Sequence, residues 1–172
     1  DSVVCESQSA ASLVMANPDF FEDSQKFILN PGPLQDEVAS DSSIVIPVNT
    51  DYESVVESIL PVSQGKTVYL VAGATIDGER RIQLLAELFA SSAPDQKVES
   101  LAGLSMNVLL EKVSGLDPEN SIILFLLMFK DADGVRYTPY EAVERISKHA
   151  GAPVYSCWTS LMGSGIVGGY QL

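Results

Sequence analysis

The sequence predicts an α/β fold built on a doubly wound parallel sheet, and three observations carry that prediction. Apolar runs alternate with amphipathic stretches from end to end. The two strongest runs, TVYLVAG (Thr67–Gly73) and SIILFLLMF (Ser121–Phe129), are continuous rather than alternating, as in strands covered on both faces. Helical stretches of about 12–16 residues separate the later strands, the βαβ signature that demands parallel pairing through crossovers. At roughly 100–200 residues per domain, the 172 residues make one domain or two small lobes.

Taken in order, Ser2–Glu6 is a short β-rich run, followed by a small-residue helix through Met15 to Asn17. Asn17-Pro18 stops that helix, because the residue before proline is pushed out of the α region. Lys26–Asn30 (KFILN) reads as the next strand and ends at the breaker Pro31-Gly32-Pro33. Pro33–Ser43 is polar and acidic, a solvated surface loop. Ser43–Val48 (SIVIPV) is strand-like, with Pro47 demoting it to an edge or a crossover.

Thr50 and Glu53 have capping-box spacing, and Val55, Val56, Ile59 and Leu60 follow on one helical face. Gln64-Gly65 ends that helix before the Thr67–Gly73 strand. The next helix starts near Asp77, with Ile82, Leu85 and Phe89 inward and Glu79, Arg80 and Glu87 outward. Lys97–Leu101 is a short strand. Ser105 caps a helix whose Met106, Leu109, Leu110 and Val113 form one apolar face. Ser121–Phe129 is the predicted central strand, followed by a turn at Lys130–Gly134. The clearest helix start is Thr138 as N-cap, Pro139 at N1 and Glu141 at N3. That helix runs to about His149 and breaks at Gly151-Ala152-Pro153. Val154–Trp158 is the last full strand, and Gly163–Tyr170 is a Gly-rich end piece. The first fifty residues, with their different rhythm, read as part of a second sheet or lobe.

Composition excludes several classes. With 46% hydrophobic residues the chain can bury enough surface to offset the entropy of ordering it, so it is not disordered. Its longest apolar run is far short of the ~20 residues that cross a bilayer. Ten basic against 23 acidic side chains, a net charge of −13, argue against nucleic acid and anionic lipid, whose phosphates need Lys and Arg. Cys5 and Cys157 are too few for a disulfide scaffold or a zinc site; they could pair if the fold brought them together, and two buried free thiols are the expectation. The chain opens at Asp1 with neither Met nor a basic leader, which suggests an excised piece of a longer protein.

The short motifs carry little chemistry. Gly163-Ser-Gly-Ile-Val-Gly168 matches GxGxxG as a string, but a dinucleotide site needs that turn to open a helix facing the pyrophosphate. With the chain ending at Leu172, tight turns around a short strand are expected instead. Asp131-Ala-Asp-Gly134 starts like a calcium loop, yet its Gly comes too early and Ala142 stands where the twelfth-position Glu belongs. His149, the only histidine, lies on a helix tail with no second His or Cys nearby, which disfavours a metal role and a Ser-His-Asp set.

Position is more informative. Ligands of doubly wound sheets sit outside the carboxyl ends of the strands. Those ends are Glu6-Ser7-Gln8, Asn30, Gly73–Asp77, Met128–Asp131 and Cys157–Thr159, a small-polar set with a few large apolar groups that suits a modest organic ligand. Trp158, the only tryptophan, stands at a strand tip as an aromatic wall or, equally, as a core residue; Met128 and Phe129 read as core.

Three segments together, SIILFLLMFKDADG (Ser121–Gly134), TPYEAVERI (Thr138–Ile146) and PVYSCWTSLMGSGIVGG (Pro153–Gly169), resemble a known family. Their order and spacing look like the C-terminal lobe of ABC-transporter-type substrate-binding domains of the periplasmic-binding-protein type I fold, in the variety used as an extracytoplasmic sensor by bacterial histidine kinases. TVYLVAGATIDGERR (Thr67–Arg81) fits the family's first C-lobe strand and helix, and Val3–Pro31 resembles its late N-lobe. The family carries a longer aromatic or polar set where this chain has Thr159-Ser160-Leu161-Met162, which allows a different ligand.

The resemblance implies one complete C-terminal lobe plus part of an N-terminal lobe. Residues 1–49 would form the partial lobe and crossover, 50–160 the C-terminal lobe, and 161–172 a terminal crossover or strand. It also implies a non-catalytic, ligand-gated clamp in the periplasm or another extracytoplasmic space, on a membrane-anchored two-component sensor whose full chain carries a kinase or cyclase module. Gly73, Ala74, Thr75, Asp77, Lys130 and Asp131 would supply polar contacts, Ser7 and Gln8 would reach from the other lobe, and Trp158 would be an apolar wall. Ile46–Asn49 would lie near a crossover. The expected partner is a small organic ligand of amino-acid type, with no cofactor, no metal and no nucleic acid; the membrane is reached only through segments outside this chain, and a homodimer stays open. The alternatives are a transporter's substrate-binding protein, an enzyme on a flavodoxin-like sheet, and a domain that binds protein only.

Overall fold

Every pairing between strands of the computed structural model is parallel, in two separate sheets. The structure describes residues 1–6, 8–29, 43–46 and 51–169, in two units, Asp1–Thr50 and Asp51–Leu172. Among the described residues no helix is long and apolar enough to cross a membrane.

The first unit holds β1 (Ser2–Cys5), α1 (Gln8–Ala16), a 3-10 turn at Pro18–Phe20, β2 (Gln25–Leu29) and β3 (Ser43–Ile46) in the order β1-β2-β3. Asn17-Pro18 ends α1, and the Asn17 amide donates to the Leu13 carbonyl at 2.8 Å. Ala11 and Val14 of α1 pack on Cys5 and Ile28 of the sheet. The register places Val4, Phe27 and Ile44 side by side, with Val4 and Ile44 exposed. Among the described residues β3 lies at the edge of its sheet, the place expected for a strand next to a proline; Pro47 to Thr50 and the Asn30–Ser42 connection lie outside the described residues.

The second unit runs α2 (Tyr52–Ser63), β4 (Thr67–Val71), α3 (Ile76–Ser92), β5 (Val98–Ser100), α4 (Met106–Ser114), β6 (Ser121–Phe125), α5 (Pro139–His149), β7 (Val154–Ser156) and a 3-10 turn at Thr159–Leu161. Its sheet has the order β5-β4-β6-β7. Alternate residues of the two inner strands feed two cores. Val68, Leu70, Ile122 and Leu124 pack with Val55, Ile59, Leu85 and Phe89 of α2 and α3. Val71, Ile123 and Phe125 pack with Leu109, Val113, Val143 and Ile146 of α4 and α5. Helices therefore cover both faces, which is why β6 is buried at every residue. Full burial of one such side chain contributes about 1.5–3 kcal/mol, so these paired cores hold the unit together.

Capping decides where the helices start. The α2 cap is Asp51, whose carboxylate accepts from the Ser54 amide at 3.0 Å; Thr50, the expected cap, lies outside the described residues. Thr75 caps α3 by accepting from the Gly78 amide at 3.1 Å. Thr138 and Glu141 close a full capping box on α5, with Pro139 at its first position. Because Thr138 Oγ1 accepts from the Glu141 amide and Glu141 accepts from the Thr138 amide, Thr138→Ala should cost about 1 kcal/mol, read as a lower urea midpoint at unchanged slope.

Three expectations need correction. The Ser121–Phe129 run is strand only to Phe125, because Leu127 takes a left-handed φ of 98° that no ladder accommodates. Thr67–Gly73 likewise ends as a strand at Val71. Phe129, expected in the core, is 51% exposed, whereas Met128 is buried. The Gly-rich end piece does form tight turns, with left-handed Gly163 and Gly165, before a single parallel bridge from Gly168 to Tyr155 of β7. Cys5 and Cys157 are both free and buried.

Candidate functional site

The strand order β5-β4-β6-β7 contains a switch point. From β4 the chain passes to β5 on one side, and from β6 it passes to β7 on the other. α3 joins one core and α5 the opposite one, so the segments leaving β4 and β6 diverge. A crevice at the carboxyl ends of two such strands is where open α/β sheets place ligands.

Gly73–Asp77 and Leu127–Asp131 line this point and are stitched together by backbone. The Gly73 amide donates to the Leu127 carbonyl at 3.1 Å, and the Ala74 amide to the Lys130 carbonyl at 2.8 Å. Gly73 has no room for a side chain: a Cβ would stand 2.7 Å from the Lys130 oxygen and 3.2 Å from Met128 Cα. A bulky residue at positive φ costs about 1–3 kcal/mol and persists only where its surroundings impose it. Leu127 sits at such a place, with its carbonyl held by Gly73.

The expected site residues fall into different positions. Ser7 lies outside the described residues, and Gln8 opens α1 in the first unit. Gly73 is buried, Ala74 and Thr75 are half-buried, and the hydroxyl of Thr75 is engaged as the α3 cap. Asp77 is exposed in the first turn of α3. Lys130 is exposed, and its backbone bridges Arg136 across a small hairpin.

Asp131 is 2% exposed and acts as a hub. Its Oδ2 accepts from the Met106 amide and the Tyr137 hydroxyl, both at 3.1 Å, and its Oδ1 accepts from the Val135 amide at 2.9 Å. Burial alone would push this carboxyl up, but the hydrogen bonds from Met106, Val135, Tyr137 and Asp133 outweigh it and hold the pKa below the ordinary value. Asp131 thus caps α4 from a distance, while Ser105, the expected cap, makes no side-chain bond there. The DADG turn is ordered by this carboxylate. Among the described residues no group of three His, Cys, Asp or Glu is placed to hold a metal ion.

Trp158 is half-buried just past β7 and packs against both cores. The Arg81 guanidinium of α3 lies over its ring, 5.9 Å from the centroid. Next to it, burial pushes the Cys157 thiol up to about 12, opposed in part by the Arg81 charge. His149 stays on the α5 tail, its Nδ1 2.8 Å from the Arg145 carbonyl.

Sequence reasoning passed over Arg81, Leu127 and Tyr137. Arg81 carried a usable signal, since it falls between Gly78, Ile82 and Leu85 of the buried α3 stripe. Leu127 carried none, because nothing in an apolar run announces a left-handed leucine. A cavity of about 440 Å³ lies elsewhere, between the last turns of α5 and Gly163–Gly165. A smaller one of about 230 Å³ lies between α3 and the tip of β5.

Comparison with known proteins assigns no family: no family profile, no curated protein and no solved structure matches this chain.

Proposed function

We propose that this chain is the small-molecule-sensing domain of a membrane-anchored signalling protein of the two-component sensor type, working outside the cytoplasm and holding its ligand at the carboxyl ends of β4 and β6. The observation that carries the ligand site is the switch point itself, where a left-handed Leu127, an exposed Phe129 and the half-buried Trp158 stand at or beside diverging strand tips. The signalling role rests on the sensor-like segments of the sequence and on the parallel α/β architecture they led us to expect. A transporter's binding protein of the same architecture is the main alternative; the modules encoded around this domain separate the two.

Trp158 supplies the test, because it is the only tryptophan and its emission reports on this one place. Amino acids, organic acids, sugars and nucleosides are titrated against the 172-residue chain while Trp158 emission and thermal stability are followed. A true ligand gives a saturable emission change and stabilises by RT ln(1 + [L]/Kd), about 2.7 kcal/mol at a hundredfold excess over Kd. Trp158→Ala should weaken binding by more than about tenfold, or 1.4 kcal/mol, while Trp158→Phe keeps part of it. Equal loss of stability and affinity in both variants would make Trp158 a packing residue only. Absence of any saturable response across the panel would overturn the proposal.

A further inference from the structure

We infer that the Arg81 guanidinium resting on the Trp158 ring is the anion-reading element of this site, so that the ligand is a carboxylate carried on an apolar body. The inference rests on the function proposed above and adds the ligand's charge and the side chain that recognises it.

Arginine carries five donors in a fixed planar fork and cannot discharge itself by losing a proton. Arg81 is half-buried, yet among the described residues its guanidinium has neither a hydrogen-bond acceptor nor an ion-pair partner. Its ring contact is with the indole of Trp158. That isolation is notable in a chain with 23 acidic against 10 basic side chains. Asp77, one helical turn earlier and well spaced for an i,i+4 pair, does not come within ion-pair distance. Coverage of an indole alone would leave the choice of residue open, since a lysine or a methionine stem covers a ring as well.

The direction of the charge is the second observation. Arg81 acts on the buried Cys157 thiol at the tip of β7, lowering its pKa against the larger effect of burial. The geometric observation beside it is that the guanidinium lies over the ring of Trp158, two residues past the carboxyl end of β7. Arg81 is half-buried rather than enclosed, so part of its side chain meets solvent. Arg145 offers a contrast: it stacks on Tyr137 at 5.4 Å but stands exposed on α5.

A carboxylate matches the fork with two parallel charge-assisted bonds, which contribute more in a half-buried place than in water. The ligand's apolar body would rest on the half-buried indole beneath the guanidinium and on the exposed Phe129 ring past the end of the neighbouring inner strand. The overall negative charge repels anions at long range, but that field is screened within about 8–10 Å at moderate salt, so recognition falls to the local cation.

The test uses matched acids and primary amides: phenylacetate, 4-methylpentanoate, L-phenylalanine and L-leucine, each against its amide. Binding to the 172-residue chain is measured by calorimetry and by Trp158 emission. The expected result is that one or more acids bind and the matching amide binds at least about tenfold more weakly, the scale of one lost charge-assisted hydrogen bond. Arg81→Met should remove that preference for the acid, Arg81→Lys should restore part of it, and Arg145→Met should leave it unchanged. Amides binding as well as acids, or Arg81→Met keeping full affinity for an acid, would overturn the inference while the ligand site itself stands. If sugars and nucleosides bind and the acids do not, the inference likewise falls and the ligand site survives. If no probe of any class binds, both fall together.

Discussion

Asp131→Ala should be the most damaging single substitution at the strand tips, lowering stability by about 3–5 kcal/mol. The reason is what the carboxylate leaves behind. The amides of Met106 and Val135 and the hydroxyl of Tyr137 all donate to this carboxylate, itself 2% exposed. A buried donor stripped of its acceptor costs about 1–3 kcal/mol, and bonds to a charged acceptor stand at the upper end. Against a total of about 5–15 kcal/mol for an ordinary domain, the loss is large. It should appear as a fall in melting temperature of roughly 10 °C or more. Asp131→Asn keeps the shape and one acceptor oxygen but turns an NH₂ toward donors, so an intermediate loss is expected. A fall of less than about 1 kcal/mol in Asp131→Ala would show that the loop and the α4 terminus find other partners.

The same residue sets the acid limb of the stability curve. Its folded pKa lies below the ordinary value of 3.8, so the unfolded chain takes up the proton first. The stabilisation is fully present above the unfolded value and is lost as pH falls through the folded one. Asp131→Asn should flatten that limb. At the other end, the Cys157 thiol rises from 9.0 to about 12 on burial, so the unfolded chain ionises first there. Stability should be whole below pH 9.0 and decline from there toward about 12, with Cys157→Ala removing this part of the decline. Urea midpoints across the pH range, wild type against the two variants, check both signs.

How far the sequence foretold the site follows from which interactions are local. The strands and helices were legible because period and capping are written within a few residues: Thr138-Pro139-Glu141 announced α5, and the unbroken apolar runs announced the two strands covered on both faces. The strand tips were legible in position, since the parallel order follows from the helical crossovers. Their use was not. Asp131 read as a ligand contact, and whether it can still meet a solute turns on bonds from Met106, 25 residues earlier in the chain, that no local pattern records. Phe129 read as core because the unbroken apolar run from Ile122 to Phe129 gives no sign of where its strand stops. The stop is made by Leu127, whose backbone is fixed by Gly73 from another strand tip, so the signal is tertiary.

Gly73→Ala should separate the proposed ligand site from general stability. The added carbon would stand 2.7 Å from the Lys130 oxygen and 3.2 Å from Met128 Cα. Both are backbone atoms, so no rotamer change relieves the clash, and the β4 and β6 tips must move apart. Overpacking of this kind costs about 1–3 kcal/mol. The bonds that would stretch are those from Gly73 to Leu127 and from Ala74 to Lys130, which also hold Leu127 in its strained conformation. Any ligand seated there should therefore lose at least about tenfold in affinity, or 1.4 kcal/mol, measured by Trp158 emission with whichever compound the wild-type chain binds. Gly134→Ala is the matched control. It lies in the hairpin turn at φ +81° with nothing within 4 Å of a Cβ, so it should cost about 1 kcal/mol of backbone strain and leave affinity unchanged. Gly73→Ala binding as tightly as wild type, with its fold intact, would move the ligand away from the β4–β6 crevice, because no occupant of that crevice could ignore a displacement of both its walls.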